Sequence, residues 1–96
     1  MRNIAELTAL LYPVFTRYNI DKAVLFGSYA KNTATEKSDL DLLVNSGLHG
    51  LRFVGFTEDI RRAVQLPVDV FDTEHIEKGS MIEKEIQSTG VTIYEK

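Results

Sequence analysis

Apolar residues Ile4, Leu7, Leu10, Leu11, Val14, Phe15 and Tyr18 recur at intervals of three and four, a period that predicts an amphipathic helix over residues 4–18. Pro13 has no N–H to offer the carbonyl of Ala9, so a kink or a short break is expected near Leu10 to Tyr12. Beyond the polar turn YNID, KAVLF (Lys22 to Phe26) reads as a short buried strand ended by Gly27. The next segment, SYAKNTATEKS, is small and polar, with room for one helical turn from Ser28. DLDLLV (Asp39 to Val44) reads as a second strand, stopped by Asn45, Ser46 and Gly47. Phe53, Phe56, Ile60 and Val64 then give helical spacing within residues 51–65 and leave Arg61 and Arg62 more exposed. VDVFD (Val68 to Asp72) has the β-branched and aromatic content of a third strand, and Pro67 fits only at its beginning. Ser80, with Glu83 three residues on, marks the N-cap of a last helix through about Gln87, and VTIYE reads as a terminal strand.

Composition narrows the class. A length of 96 residues suits one compact domain over residues 1–96, able to bury roughly 60–70% of its unfolded surface. Hydrophobic residues make up 44% of the chain and charged residues 26%, well away from the disordered regime. Cysteine is absent, so thiolate metal sites and disulfides are excluded. The N-terminal stretch carries a glutamate among its apolar positions, and no run approaches the roughly 18 apolar residues of a membrane span, so a cytoplasmic location without membrane contact is the expectation. The net charge of −3 provides no general footprint for gripping nucleic acid. A phosphate-bearing partner must therefore be held locally or through metal.

Asp39 and Asp41 break the apolar character of the second strand. Side chains alternate along a strand, so the two carboxylates point the same way, with Cα atoms about 6–7 Å apart. They either decorate the solvent face of an edge strand or hold a divalent cation. Asp is disfavoured in strands, and Mg²⁺ takes one or two carboxylates together with phosphate oxygens and water. Gly27 permits a sharp turn directly after the first strand. Ser28 then offers a hydroxyl and nearby N–H groups to a phosphate, although GS alone is compatible with a plain turn. Two metals about 3.5–4 Å apart would want a third carboxylate. Asp69 faces the same way as Asp39 and Asp41 if Val68 and Val70 face the core, whereas Asp72 falls on the opposite side or beyond the strand.

LFGSYAKNTATEKSDLDLLV followed by VDVFD resembles the minimal nucleotidyltransferases of the DNA polymerase beta superfamily. Gly27, Ser28, Asp39, Asp41 and Asp69 occupy the five places of their motif. The resemblance implies a small α/β (α+β) domain, a mixed sheet with helices packed on one face and the metal site on the other. It further implies that Asp39 and Asp41 bind two Mg²⁺ ions and that Asp69 binds one and helps activate an attacking hydroxyl. Gly27, Ser28 and Lys31 would serve the nucleotide, ATP as substrate, with pyrophosphate leaving. Chains of this size resemble the antitoxin half of MNT/HEPN toxin–antitoxin pairs, in which AMP passes to a tyrosine of the HEPN ribonuclease. Members often carry a basic residue and then glycine after G-S-x-A, where this chain has Lys31 and Asn32. That departure motivates a rival reading, a non-catalytic antitoxin that neutralises its partner by binding only. Transfer to a small molecule such as an aminoglycoside ranks lower, for want of room to shape a pocket. His49 and His75 read as ordinary surface, Phe53 and Phe56 as core, and Tyr94 as packing.

Overall fold

The computed structural model describes residues 2–96. Among them, three α-helices and a four-stranded mixed sheet account for nearly all regular structure, in the order α1 (Ile4–Arg17), β1 (Lys22–Phe26), β2 (Leu40–Asn45), α2 (Leu51–Val64), β3 (Val68–Asp72), α3 (Met81–Thr89) and β4 (Val91–Glu95), with one 3₁₀ turn at Thr73–His75. The strands lie in the order β3-β2-β1-β4. β1 runs antiparallel to both β2 and β4, and β2 runs parallel to β3 with α2 as the crossover. A parallel pair needs such a long connection, and a helix supplies it.

Pattern becomes packing at the first sheet face. Leu40, Leu42 and Val44 of β2, with Ala23 and Leu25 of β1, are buried under Leu7, Leu11 and Phe15 of α1 and Phe56, Ile60 and Val64 of α2. Phe56 is the aromatic centre, its ring 6.4 Å from Phe15, 5.3 Å from Tyr18 and 6.2 Å from Phe53. Tyr94 packs 5.2 Å from Phe15 and 5.7 Å from Tyr12, the packing role expected of it. His49 and His75 are exposed, as are Arg61 and Arg62.

The expected break at Pro13 does not occur, and α1 is continuous from Ile4 to Arg17. Ala9 and Pro13 both lie on the exposed face, where water can satisfy the freed carbonyl and the proline ring meets no neighbour from the core. The helix is also well started. Asn3 accepts from the Glu6 N–H at 2.8 Å, and the Glu6 carboxylate reaches back to the Asn3 N–H, a reciprocal cap. β2 begins one residue later than expected, at Leu40, whose N–H donates to the carbonyl of Pro67 at 2.9 Å. Proline cannot donate to a ladder but accepts at its edge.

α1 and α2 cover one face, while α3 lies over the other, beside β1. Gly90, just past α3, brings the chain so near β1 that a β-carbon there would sit 3.0 Å from Val24 Cγ1 and 2.5 Å from the Ile86 carbonyl. Leu43, Thr73, Ile76, Glu83, Ile86 and Gln87 line a groove between α3 and the sheet.

The two aspartates of β3 have separate fates. Asp72 is buried, accepts from the Ser46 hydroxyl and, at 3.1 Å, from the Glu74 N–H, while Ser46 Oγ accepts from the Leu48 N–H at 3.1 Å. Asp69 is exposed on the face that α1 and α2 leave uncovered. Asp72→Ala leaves buried donors without a partner and is expected to cost about 1–3 kcal/mol in urea denaturation, whereas Asp69→Asn should cost nothing measurable. Equal losses in both variants would contradict this division.

Candidate functional site

The site begins where β1 ends. Gly27 adopts φ +77°, a conformation that side chains rarely tolerate. The space is closed as well, since a β-carbon on Gly27 would lie 2.5 Å from Asp41 Oδ2. Glycine is therefore favoured on two independent grounds, its backbone conformation and the Asp41 carboxylate that any side chain would push aside.

The residues after Gly27 close one helical turn. The Lys31 N–H donates to the Gly27 carbonyl at 3.1 Å, the Asn32 N–H to Tyr29 at 3.3 Å and the Thr33 N–H to Ser28 at 2.9 Å. The last two bonds, with Asn32 at φ +61°, form a Schellman ending with asparagine in the left-handed position usually given to glycine. Tyr29 sinks into the core and anchors the turn. A turn that starts this way leaves its first N–H groups, at and after Ser28, without partners inside it. Ser28 is half-buried and Lys31 exposed, with Lys31 Nζ 4.0 Å from Glu85 Oε1 of α3.

The loop back is fixed by Thr35 and Ser38, each serving the other's backbone: the Thr35 N–H donates to Ser38 Oγ at 2.8 Å and the Ser38 N–H to the Thr35 carbonyl at 3.0 Å. It delivers Asp39 to the start of β2. Asp41, two residues on, pairs in register with Phe26 of β1 on one side and with Asp69 of β3 on the other. Strand alternation therefore brings Asp41 and Asp69 to one face as neighbours, with Asp39 preceding them at the strand's mouth. Gly27, Ser28, Asp39, Asp41 and Asp69 meet at one end of the sheet. Lys31 stands at its edge, held towards α3.

Crowding sets the electrostatics. The Asp41 carboxyl is pushed up to about 6, first by burial and then by the negative charges of Asp69, Asp39 and Glu85. The pull of its neighbours and its own desolvation act in the same direction. Among the described residues, no three histidine, cysteine or carboxylate groups converge tightly enough to enclose a metal by themselves. A donor set made of carboxylates alone nevertheless suits Mg²⁺, which keeps several waters and shares its shell with phosphate.

Two contributors had no signal in the local sequence. Thr89 Oγ1, at the end of α3, accepts from the Gly27 N–H at 2.9 Å, and Glu85 adds a third negative charge beside Asp41. Glu85 sits in a helix expected from its Ser80 cap alone, and Thr89 lies beyond the expected end at about Gln87, although α3 continues to Thr89.

The raised Asp41 value has a definite sign. The folded chain holds this proton more tightly than the unfolded chain, so the stabilising protonated form is fully present below about pH 4 and is lost as pH rises through about 6. In metal-free buffer, Asp41→Asn is expected to melt above the unaltered chain at pH 7.5 and to converge with it near pH 4. Melting curves that differ equally at both pH values would contradict the crowding.

The model of the polymerase beta nucleotidyltransferase family matches residues 11–96. Two candidate protein adenylyltransferases of Methanocaldococcus jannaschii are similar: MJ0435 is 40% identical over 45 residues, 47% of this chain and 48% of that protein, and MJ0128 is 40% identical over 48 residues, 46% and 49% of the two chains. The chain thus spans about half the length of the curated relatives it matches. Among solved structures, a toxin–antitoxin with AMP-PNP superposes with a TM-score of 0.77 at 17% identity, covering 93% of this chain and 73% of that one. The tri-AMPylated Shewanella oneidensis HEPN toxin in complex with MNT antitoxin gives 0.72 at 14%, covering 97% and 73%. A candidate minimal nucleotidyltransferase gives 0.74 at 22%, covering 94% and 95%. These structures share the fold, and the family match across residues 11–96 places the chain in the polymerase beta nucleotidyltransferase family.

Proposed function

We propose that residues 1–96 act as a Mg²⁺-dependent nucleotidyltransferase that moves AMP from ATP to a hydroxyl of a partner protein, the partner being a HEPN-type toxin in the cytoplasm. The observation that carries the reading is the register of Asp41 between Phe26 and Asp69, which sets it next to Gly27. It sets two carboxylates beside a glycine turn whose first N–H groups are free to meet phosphate. The adenylyltransferase relatives and the toxin–antitoxin structures supply the donor and the partner class.

In this reading, Asp39, Asp41 and Asp69 hold the metal, two ions being the arrangement that suits three carboxylates. When bound, the cations neutralise charge on the phosphorus oxygens. Gly27 allows the backbone to approach, and Ser28 with the adjoining N–H groups orients the triphosphate for displacement of pyrophosphate. Lys31 exchanges the Glu85 carboxylate for a phosphate oxygen. The pair is exposed on both sides, and such surface ion pairs contribute little, so the exchange costs little. Asp69, exposed at the strand edge, stands where it can take the proton of the acceptor hydroxyl.

The rival, neutralisation by binding alone, draws on the departure at Lys31 and Asn32 and on the resting contact of Lys31 with Glu85, which occupies the cation. Asn32, by contrast, keeps the left-handed turn intact, so the glycine-to-asparagine difference does not disfavour catalysis.

The test is to incubate the purified chain with α-labelled ATP, Mg²⁺ and lysate of its own host, beside an Asp39→Asn, Asp41→Asn double variant. The expected result is label on a protein band that disappears in the double variant, with the acceptor identified by mass. No label on any protein, together with equal protection of the partner by both chains, would establish the binding-only alternative.

A further inference from the structure

The last turn of α3 lies outside every motif described above, yet it meets the glycine turn directly. The Thr89 hydroxyl has two engagements. It donates to the Glu85 carbonyl at 2.8 Å and accepts from the Gly27 N–H at 2.9 Å, the latter across 62 positions of sequence. The first bond fixes the direction of the hydroxyl proton and so leaves a lone pair aimed at Gly27. Gly90 makes the approach possible, because no side chain fits between the end of α3, Val24 and the Ile86 carbonyl.

The consequence concerns the peptide that joins Phe26 to Gly27. Its N–H is the last before the turn, and its orientation determines where the Gly27 Cα rests against Asp41 and where Ser28 begins. Gly27 is free to rotate in ways that other residues are not. The buried Phe26, stacked 5.8 Å from Phe71, holds the peptide on the strand side only. Thr89 holds it on the other.

We infer that Thr89 is a positioning residue for the nucleotide site: through the Gly27 N–H it orients the Gly27–Ser28 turn for the triphosphate. The inference rests on the nucleotidyltransferase reading and adds α3 to the site. Thr89 touches neither the nucleotide nor the acceptor in this account and acts only through Gly27. The same turn of α3 places Glu85 against Lys31, so one helix end serves both cationic and backbone elements of the phosphate turn.

The experiment is calorimetric titration of the unaltered chain, Thr89→Val and Thr89→Ser with α,β-methylene-ATP in Mg²⁺, reading affinity and binding-competent fraction separately. Valine keeps the shape and loses the acceptor, while serine restores it. The expected result is a loss of about tenfold in affinity for Thr89→Val, the factor that one ordinary hydrogen bond carries. The competent fraction should be unchanged, and Thr89→Ser should stay within about twofold. A merely structural threonine would lower the competent fraction and leave the affinity of the remainder unchanged, which would overturn the inference, as would Thr89→Val binding like the unaltered chain. No binding by the unaltered chain would overturn the nucleotidyltransferase reading together with the inference.

Discussion

The contact between the Gly27 backbone and the Asp41 carboxylate is the constraint on which the site depends. It joins the end of one strand to the start of another where a β-carbon would lie 2.5 Å from Asp41 Oδ2, so any other residue would force the carboxylate aside. Because β1 and β2 are antiparallel, the turn leaving β1 necessarily lies beside the residues entering β2. The glycine turn and the carboxylates thus become neighbours although residues 27–39 connect the two strands. The parallel pairing of β3 then sets Asp69 next to Asp41.

The sheet divides labour between its faces. On β2, Leu40, Leu42 and Val44 face α1 and α2, and their burial supplies cohesion at roughly 25 cal/mol per Å² of apolar surface. The alternate positions carry Asp41 and Leu43. A one-residue slip of β2 would exchange the two sets and lose both core and site. That coupling explains how a small domain tolerates three carboxylates and Glu85 in one corner. The burial and repulsion that push Asp41 up to about 6 are borne by strands fixed from the other face. Asp72, at the end of the neighbouring strand β3, shows the opposite solution, a buried carboxylate provided with donors of its own.

Features written in local periods were legible in the sequence. Alternation in DLDLLV and VDVFD placed Asp41 and Asp69 on one face and separated Asp72 from them. The helical spacing around Phe56 and Ile60 marked the core. What was not legible depends on contacts between distant positions. The bond from Gly27 to Thr89 spans 62 residues, and nothing in IEKEIQSTG distinguishes a threonine that closes a helix from one that supports a turn. The position of α3 over the second sheet face depends on Gly90 meeting Val24, again a contact between distant positions. Pro13 misled because a proline rule counts the lost hydrogen bond and takes no account of which side of the helix faces water.

The central claim is that the Asp41 corner exists to receive a divalent cation with its nucleotide. The most direct measurement is electron paramagnetic resonance of Mn²⁺ titrated into the chain with α,β-methylene-ATP, comparing the unaltered protein with Asp41→Asn. The account predicts saturable Mn²⁺ binding that requires nucleotide for full strength and is lost in the variant. Equal Mn²⁺ binding by both chains would contradict it.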